Sequence, residues 1–473
     1  MLLLPLLALS IQAEWTRIEA EIGALQNGVR VETEVGGFTG GGYLTGFEAE
    51  GASVRYSMDL PPGIYEVRLR YRSEQPKGFV LESGGYRYSG HFLPTGEDWK
   101  WHDAGRVELI GRPSDLTVER GWGFFDLDAL EVRRIETVIR PKPVPARLVT
   151  PNASAKSQAV MRRLTENYGK RTVSGQYGLE ELVYLLRHAE RAPAIIGEDL
   201  MDYSPSRVER GADPKGLSEK LIEMAGHGHW ITLSWHWNAP SGLLDKEYED
   251  AEGNKVNALW WRGFYSNATT FDVSKAMSDS SSEEHRLILR DIDEIAKELK
   301  KFRDADVPVL WRPLHEADGA WFWWGAKGPK PYIALWRLMF DRLTHHHGLN
   351  NLIWVSSAHQ LDWHVGDAYV DVIGVDAYPA DARDPVCELW DRMLKAYDGR
   401  KLIALTEFGG AFDVPRAERF GVRYSYFVTW SGELGPKMTP NERLKAIFQS
   451  PLVVTHTDLL KWSRDGTGPG PGR

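Results

Sequence analysis

Trp311-Arg312-Pro313-Leu314-His315-Glu316, followed by Trp321-Phe322-Trp323-Trp324-Gly325, sets one carboxylate beside a histidine, an arginine and four tryptophans. A carboxylic acid among aromatic faces can keep its proton near neutral pH and deliver it to a glycosidic oxygen, while flat rings support the sugars. That chemistry needs a second carboxylate across the bond to be cleaved. Without one, the same residues make a sugar-binding or structural patch, with Glu316 salt-bridged to Arg312.

The second carboxylate is Glu407, in Leu405-Thr406-Glu407-Phe408-Gly409. From about residue 152, apolar runs alternate with helical stretches. The runs 173–175, 194–197, 230–234, 307–311, 351–355, 372–375, 402–405 and 426–430 read as eight strands. Eight β–α units predict an α/β chain of the (β/α)8 TIM-barrel class, in which catalytic groups sit just past the C-terminal strand ends. Asp199, His236, Glu316, Tyr378, Glu407 and Trp430 all fall there. At roughly 30 residues per unit, Glu316 and Glu407 stand three units apart, on strands four and seven. Two glutamates so placed can flank one glycosidic bond, and a retaining mechanism needs their carboxyls about 5–5.5 Å apart. Glu316, among Trp321, Trp323 and Trp324, reads as the acid. A cation and the Tyr378 hydroxyl would hold Glu407 charged as the nucleophile. The long segment 239–282 after strand three reads as a loop shaping the cleft.

The segment from Trp311 to Gly325, with Gly319, closely resembles the acid/base signature of glycoside hydrolase family 26, mostly endo-β-1,4-mannanases. Residues 405–409 resemble that family's nucleophile segment, and the resemblance spans roughly 150–462. It implies a retaining mechanism with Glu316 as acid/base and Glu407 as nucleophile. It implies His315 and Tyr378 as supports of the nucleophile and His236, Trp321 and Trp430 as sugar contacts. Asp199 and Arg312 are implied as supporting residues, and no cofactor is implied for catalysis. The family often has Met-Asn or Ala-Ser after the glutamate, where this chain has Ala317-Asp318; that change would alter a contact on the leaving-group side.

Residues 14–135 read as an all-β sandwich of the jelly-roll kind, with period-two alternation at 54–58 and 64–71 and Gly/Pro turns between. Ile18-Glu19-Ala20-Glu21, Gly40-Gly41-Gly42-Tyr43 and Gly121 to Asp128 resemble carbohydrate-binding module family 35. The resemblance implies a structural Ca²⁺ with Glu19, Glu21 and Asp128 as side-chain ligands. Tyr43, Trp99 and Trp122 are ligand-contact candidates, although Trp122 could equally be core. Four prolines within 136–151 predict a stiff extended linker.

A net charge of −9 leaves no basic excess to neutralise phosphates, so a nucleic-acid partner is not expected. The 19 tryptophans point instead to a polysaccharide partner, a β-mannan on the resemblance. Residues 1–13 read as a signal peptide, too short to span a bilayer, and predict secretion with no membrane partner; a monomer is expected. The single Cys387 excludes an intrachain disulfide. The segment 463–473 reads as a disordered Gly/Pro tail. His345-His346-His347 cannot share one helix face, and a solvated helix end capped by Gly348 is expected rather than a metal site. Rival readings are the same chemistry on β-1,3-xylan or mixed-linkage β-glucan, exo-acting release of mannobiose, or a non-catalytic glycan-binding protein.

Overall fold

The computed structural model describes residues 14–249, 253 and 255–464. The expected signal segment lies outside these residues, as does most of the expected tail. The last helix, His456–Arg464, runs through the position where that tail was to begin. Two compact units divide the chain. Of the described residues, one unit comprises those from 14 to 140 with 379–392 and 416–422; the other comprises those within 141–378, 393–415 and 423–464.

The first unit contains two antiparallel sheets. One orders its strands Arg30–Glu32, Tyr43–Thr45, Asp126–Arg134, Gly63–Arg72 and Lys100–Leu109, with Thr16–Glu19 also paired to Asp126–Arg134. The other orders Ala24–Gln26, Ser53–Met58, Ser114–Trp122, Lys77–Ser83 and Tyr86–Phe92. In Gly63–Arg72, Tyr65, Val67, Leu69 and Tyr71 face the core. The alternate residues Arg68, Arg70 and Arg72 face outward and pair with Glu131, Asp128 and Asp126 of the neighbouring strand. Period two thus separates an apolar core from a ladder of ion pairs.

The second unit contains the barrel. Its eight parallel strands are Thr172–Tyr177, Ile195–Asp199, Trp230–Trp235, Val309–Pro313, Leu352–Ser356, Val372–Ala377, Leu402–Phe408 and Tyr426–Thr429. Each pairs with the next, and the first pairs with both the second and the eighth, which closes the ring. Closure leaves no strand edge, and burial on both faces explains why the strands read as continuous apolar runs. The 22-residue helix Glu283–Asp304 follows the long third loop. Ser282 caps it through the His285 N–H, and Leu287, Ile288, Ile292, Ile295 and Leu299 form its buried stripe. The loop before it carries a short hairpin, Lys246–Glu249 against Lys255–Ala258, and the helix Val273–Ser278.

The second half of the proline-rich segment lies along the barrel. Val149 N–H donates to Asp371 Oδ1 (2.7 Å) and Thr150 Oγ1 donates to the Leu352 carbonyl (2.7 Å). Asp371 also accepts the Trp354 N–H (2.8 Å), and burial pushes its carboxyl up to about 7 despite these bonds. Asp371→Ala leaves one buried and one part-buried N–H group without acceptors and should cost roughly 1–4 kcal/mol in urea denaturation. A loss below about 1 kcal/mol would show that Asp371 does not tie the segment down.

Candidate active site

Just past barrel strand four the backbone enters the left-handed region three times, at Leu314 (φ 51°), Glu316 (φ 50°) and Ala320 (φ 60°). Each such non-glycine residue costs about 1–3 kcal/mol and persists only where the surroundings over-determine it. The tryptophan run supplies those surroundings. Trp324 Nε1–H donates to the His315 carbonyl (2.9 Å) and Trp323 Nε1–H to the Trp237 carbonyl (2.6 Å). A Cβ on Gly325 would stand 1.9 Å from the Ala317 carbonyl oxygen, so the chain returns there only as glycine. Trp323 and Trp324 are fully buried and hold the turn; Trp321, 47% exposed, alone of the three can face a ligand. Its Nε1–H donates to Glu316 Oε2 (3.0 Å).

Glu407 lies on strand seven, beside Asp376 of strand six, where the register between those strands shifts. Arg312 Nη2 donates to Glu407 Oε1, and the Tyr378 hydroxyl donates to Oε2 (2.5 Å). Arg312 is fully buried. It also reaches Asp376 (2.8 Å), Ser357 Oγ (3.2 Å) and the Tyr177 hydroxyl (3.3 Å). Thr406 Oγ1 in turn holds Asp376 Oδ1 (2.6 Å). The arginine therefore serves Glu407 and Asp376, and the alternative of a structural Arg312–Glu316 bridge does not form.

The two glutamates have unequal surroundings. Burial raises the pKa of both. At Glu316 the nearby Glu407 and Asp376 charges push further upward, well above the usual carboxylate range, against a distant Arg312 and one indole donor. At Glu407 the Arg312 charge and the Tyr378 hydroxyl oppose the burial and the Asp376 charge, so the carboxyl rises less freely than that of Glu316. Burial and the Glu407 charge also raise the Tyr378 phenol, which keeps it a proton donor although 41% of the residue is exposed. One carboxyl is thus suited to carry a proton and the other to stay ionised.

A polar chain crosses from strand two to strand four. Asp199 accepts from Ser234 Oγ (2.7 Å), from the His236 N–H (3.0 Å) and from His236 Nδ1 (2.6 Å). Burial would raise its carboxyl, but His236 and these bonds hold it at about 2. His236 Nε2 lies 3.1 Å from His315 Nε2. His315 is buried, and burial with the His236 and Arg312 charges drops its pKa well below the ordinary value, so it is neutral. Its bond goes to His236, not to Glu407, while Tyr378 does meet the nucleophile candidate. Phe264, Phe322 and Trp430 surround the His236 ring at 4.9, 5.4 and 6.3 Å.

Residues 149–458 match Glycosyl hydrolase family 26. A mannan endo-1,4-beta-mannosidase of Thermothelomyces thermophilus is 36% identical over 457 residues, covering 94% of this chain and 91% of that protein. The chain belongs to glycoside hydrolase family 26. A mannan endo-1,4-beta-mannosidase A of Piromyces sp is 29% identical, over 97% of this chain and 75% of that protein. The crystal structure of a Podospora anserina GH26-CBM35 beta-(1,4)-mannanase matches with a TM-score of 0.66 and 32% identity, over 95% of this chain and 99% of that one. This match runs through the N-terminal all-β unit, in keeping with its resemblance to a family 35 module.

Two residues of this family 26 site escaped the sequence reading. Tyr177 holds Arg312 and packs against Trp430 (4.8 Å), but the apolar run that marks strand one stops at Gly175, two residues short of the strand's end. Asp376 stood at an expected strand end; nothing in its neighbours signals that it shares the arginine. In the N-terminal module, Thr16–Glu19 pairs with Asp126–Arg134, and Glu19, Glu21 and Asp128 all meet residues 39–41. Thr39 Oγ1 bridges Glu19 and Asp128, and Glu21 Oε1 accepts the Gly41 N–H. Glu21 Oε2 is buried without a partner among the described residues, whereas Asp128 also pairs with Arg70. Tyr43 is core, Trp99 packs edge-on against it (5.2 Å), and Trp122 is 49% exposed.

His345 to His347 close a wide helical turn, followed by Gly348 at φ 65°. Asp293, His346 and His347 bring ligand atoms within 4.8 Å of one another, but Arg342 covers both Asp293 oxygens and Lys300 meets His347 Nδ1. Cations already hold that cluster.

Arg312→Met would leave Glu407 and Asp376 sharing a dry site with no cation, and should destabilise the fold by about 3–5 kcal/mol at pH 7. Arg312 is what holds the buried Glu407 carboxyl down, so without it that folded-state carboxyl rises further, the folded protein takes up a proton and the deficit should shrink toward pH 4. Urea denaturation at the two pH values checks this; an equal deficit at both would exclude the charge-pairing account.

Proposed function

We propose that this glycoside hydrolase is a secreted, monomeric, retaining endo-β-1,4-mannanase acting on mannan, glucomannan or galactomannan. The observation that carries the reading is the pair of glutamates at the strand-four and strand-seven ends: a buried Glu407 with a cation and a phenol donor, and a half-buried Glu316 with neither. In the proposed cycle Glu407 attacks the anomeric carbon while Glu316 protonates the departing oxygen. Glu316, now ionised, takes a proton from the water that releases the glycosyl-enzyme. His236, Trp321 and Trp430 line the sugar on either side of the cleaved bond. The names of the relatives favour β-1,4-mannan over β-1,3-xylan or mixed-linkage glucan.

In the same reading the N-terminal module binds carbohydrate and holds one Ca²⁺ through Glu19, Glu21 and Asp128. The orphaned Glu21 oxygen beside the 39–41 turn supports this, since a hard cation is held by oxygen ligands. The ion would cross-link the first and last strands of the module. Secretion rests on the apolar run 2–9, and a single buried Cys387 suits a fold stabilised by its core.

Proton NMR of the first product from mannohexaose should show the β-anomer, and an initial α-anomer would overturn double displacement. Product profiling over time should give mixed internal cuts; steady release of mannobiose alone would mean exo action. Activity should fall at low pH as Glu407 takes a proton, and at high pH as Glu316 loses one. Glu407→Ala should abolish hydrolysis while mannan binding persists. EDTA should lower the melting transition of the module, and no shift would remove the calcium.

A further inference from the structure

The turn that carries Glu316 is tethered beyond its own segment. Asp318 Oδ2 accepts two backbone N–H groups, those of His359 (2.9 Å) and Gln360 (2.9 Å). Gln360 Nε2 reaches back to the Asp318 carbonyl (3.3 Å). His359 Nε2 accepts the N–H of Asp376 (3.1 Å), and Asp376 shares Arg312 with Glu407. A continuous path therefore runs from the proton donor's turn through residues 318, 359 and 376 to the nucleophile's arginine. It crosses from strand four past the end of strand five to strand six.

The side chain is chemically suited to this task. A carboxylate accepts two parallel N–H groups on one oxygen, and charge-assisted bonds of this kind are the stronger ones. The turn it tethers is only three residues long, Ala317–Gly319, and is flanked by left-handed residues at both Glu316 and Ala320. Such backbone holds its shape only under outside restraint. The tryptophans restrain the turn from the side of strand three; Asp318 restrains it toward strands five and six. The change expected at the leaving-group side is thus a backbone clamp.

We infer that Asp318 is a positioning residue that, through the 359–360 backbone, sets the placement of Glu316 relative to Glu407. The inference rests on Glu316 being the proton donor. Its test compares mannohexaose with 2,4-dinitrophenyl β-mannobioside, whose leaving group needs no proton. kcat/KM is read because it reports the step in which the bond breaks. Asp318→Ala should lose roughly 10- to 100-fold on mannohexaose, as small misplacements of a catalytic group do, and within about twofold on the aryl substrate. The ratio of the two substrates on one preparation is independent of how much protein is folded. The alkaline limb on mannohexaose should move to lower pH, because a looser turn admits water to Glu316. Asp318→Asn, whose Oδ1 can still accept the N–H groups, should recover most of the loss. Equal losses on both substrates with an unmoved alkaline limb would overturn the inference. Glu316→Ala, measured alongside, should keep activity on the aryl substrate and lose it on mannohexaose. If it loses both equally, the proton-donor reading fails, whatever Asp318 does.

Discussion

A single buried guanidinium organises this site. Arg312 has no solvent contact, so its charge must be met inside the barrel, and Glu407 and Asp376 meet it from two adjacent strands. Two carboxylates around one cation leave an excess negative charge in a dry cavity. Burial raises the Glu316 carboxyl well above its ordinary range, and that excess charge pushes it further in the same direction. The ion triad therefore supplies more than cohesion: it adds to the difference between the surroundings of two chemically identical side chains.

The second constraint is geometric. The chain leaves strand four abruptly, through left-handed residues at 314, 316 and 320. Local sequence does not favour this path, because none of the three is glycine. Indole N–H groups, a glycine that lets two backbones touch, and the Asp318 carboxylate compensate from three directions. A tryptophan in such a site can thus serve as a hydrogen-bonding strut, and its exposure distinguishes a strut from a sugar platform.

The N-terminal module uses the same chemistry in another setting. Its outward arginines stand every second residue on one strand and meet acids on the next, so the outer face of the sheet is stitched by largely covered ion pairs. Where first and last strands meet, acids outnumber their local partners, and one oxygen of Glu21 is left over.

Much of this was legible in the sequence. The eight barrel strands, their order and the two glutamates follow from apolar runs and strand-end spacing, because period and spacing are properties of local chain. The family resemblance added the expectation that His236 contacts sugar. Partnership was not legible: Arg312 read as readily with Glu316, four residues away, as with Glu407. Trp321, Trp323 and Trp324 looked alike as cleft walls, and the proline-rich segment looked free of the barrel. Tyr177 and Asp376 gave no sign of their shared arginine. Those outcomes depend on which side chains converge when a parallel sheet closes on itself. Closure sets neighbours across strands through twist and register, and these are fixed by packing over the whole ring. The sequence by itself determined which groups stand at the mouth of the barrel; only the closed barrel decided which of them share a charge, a proton or a tether.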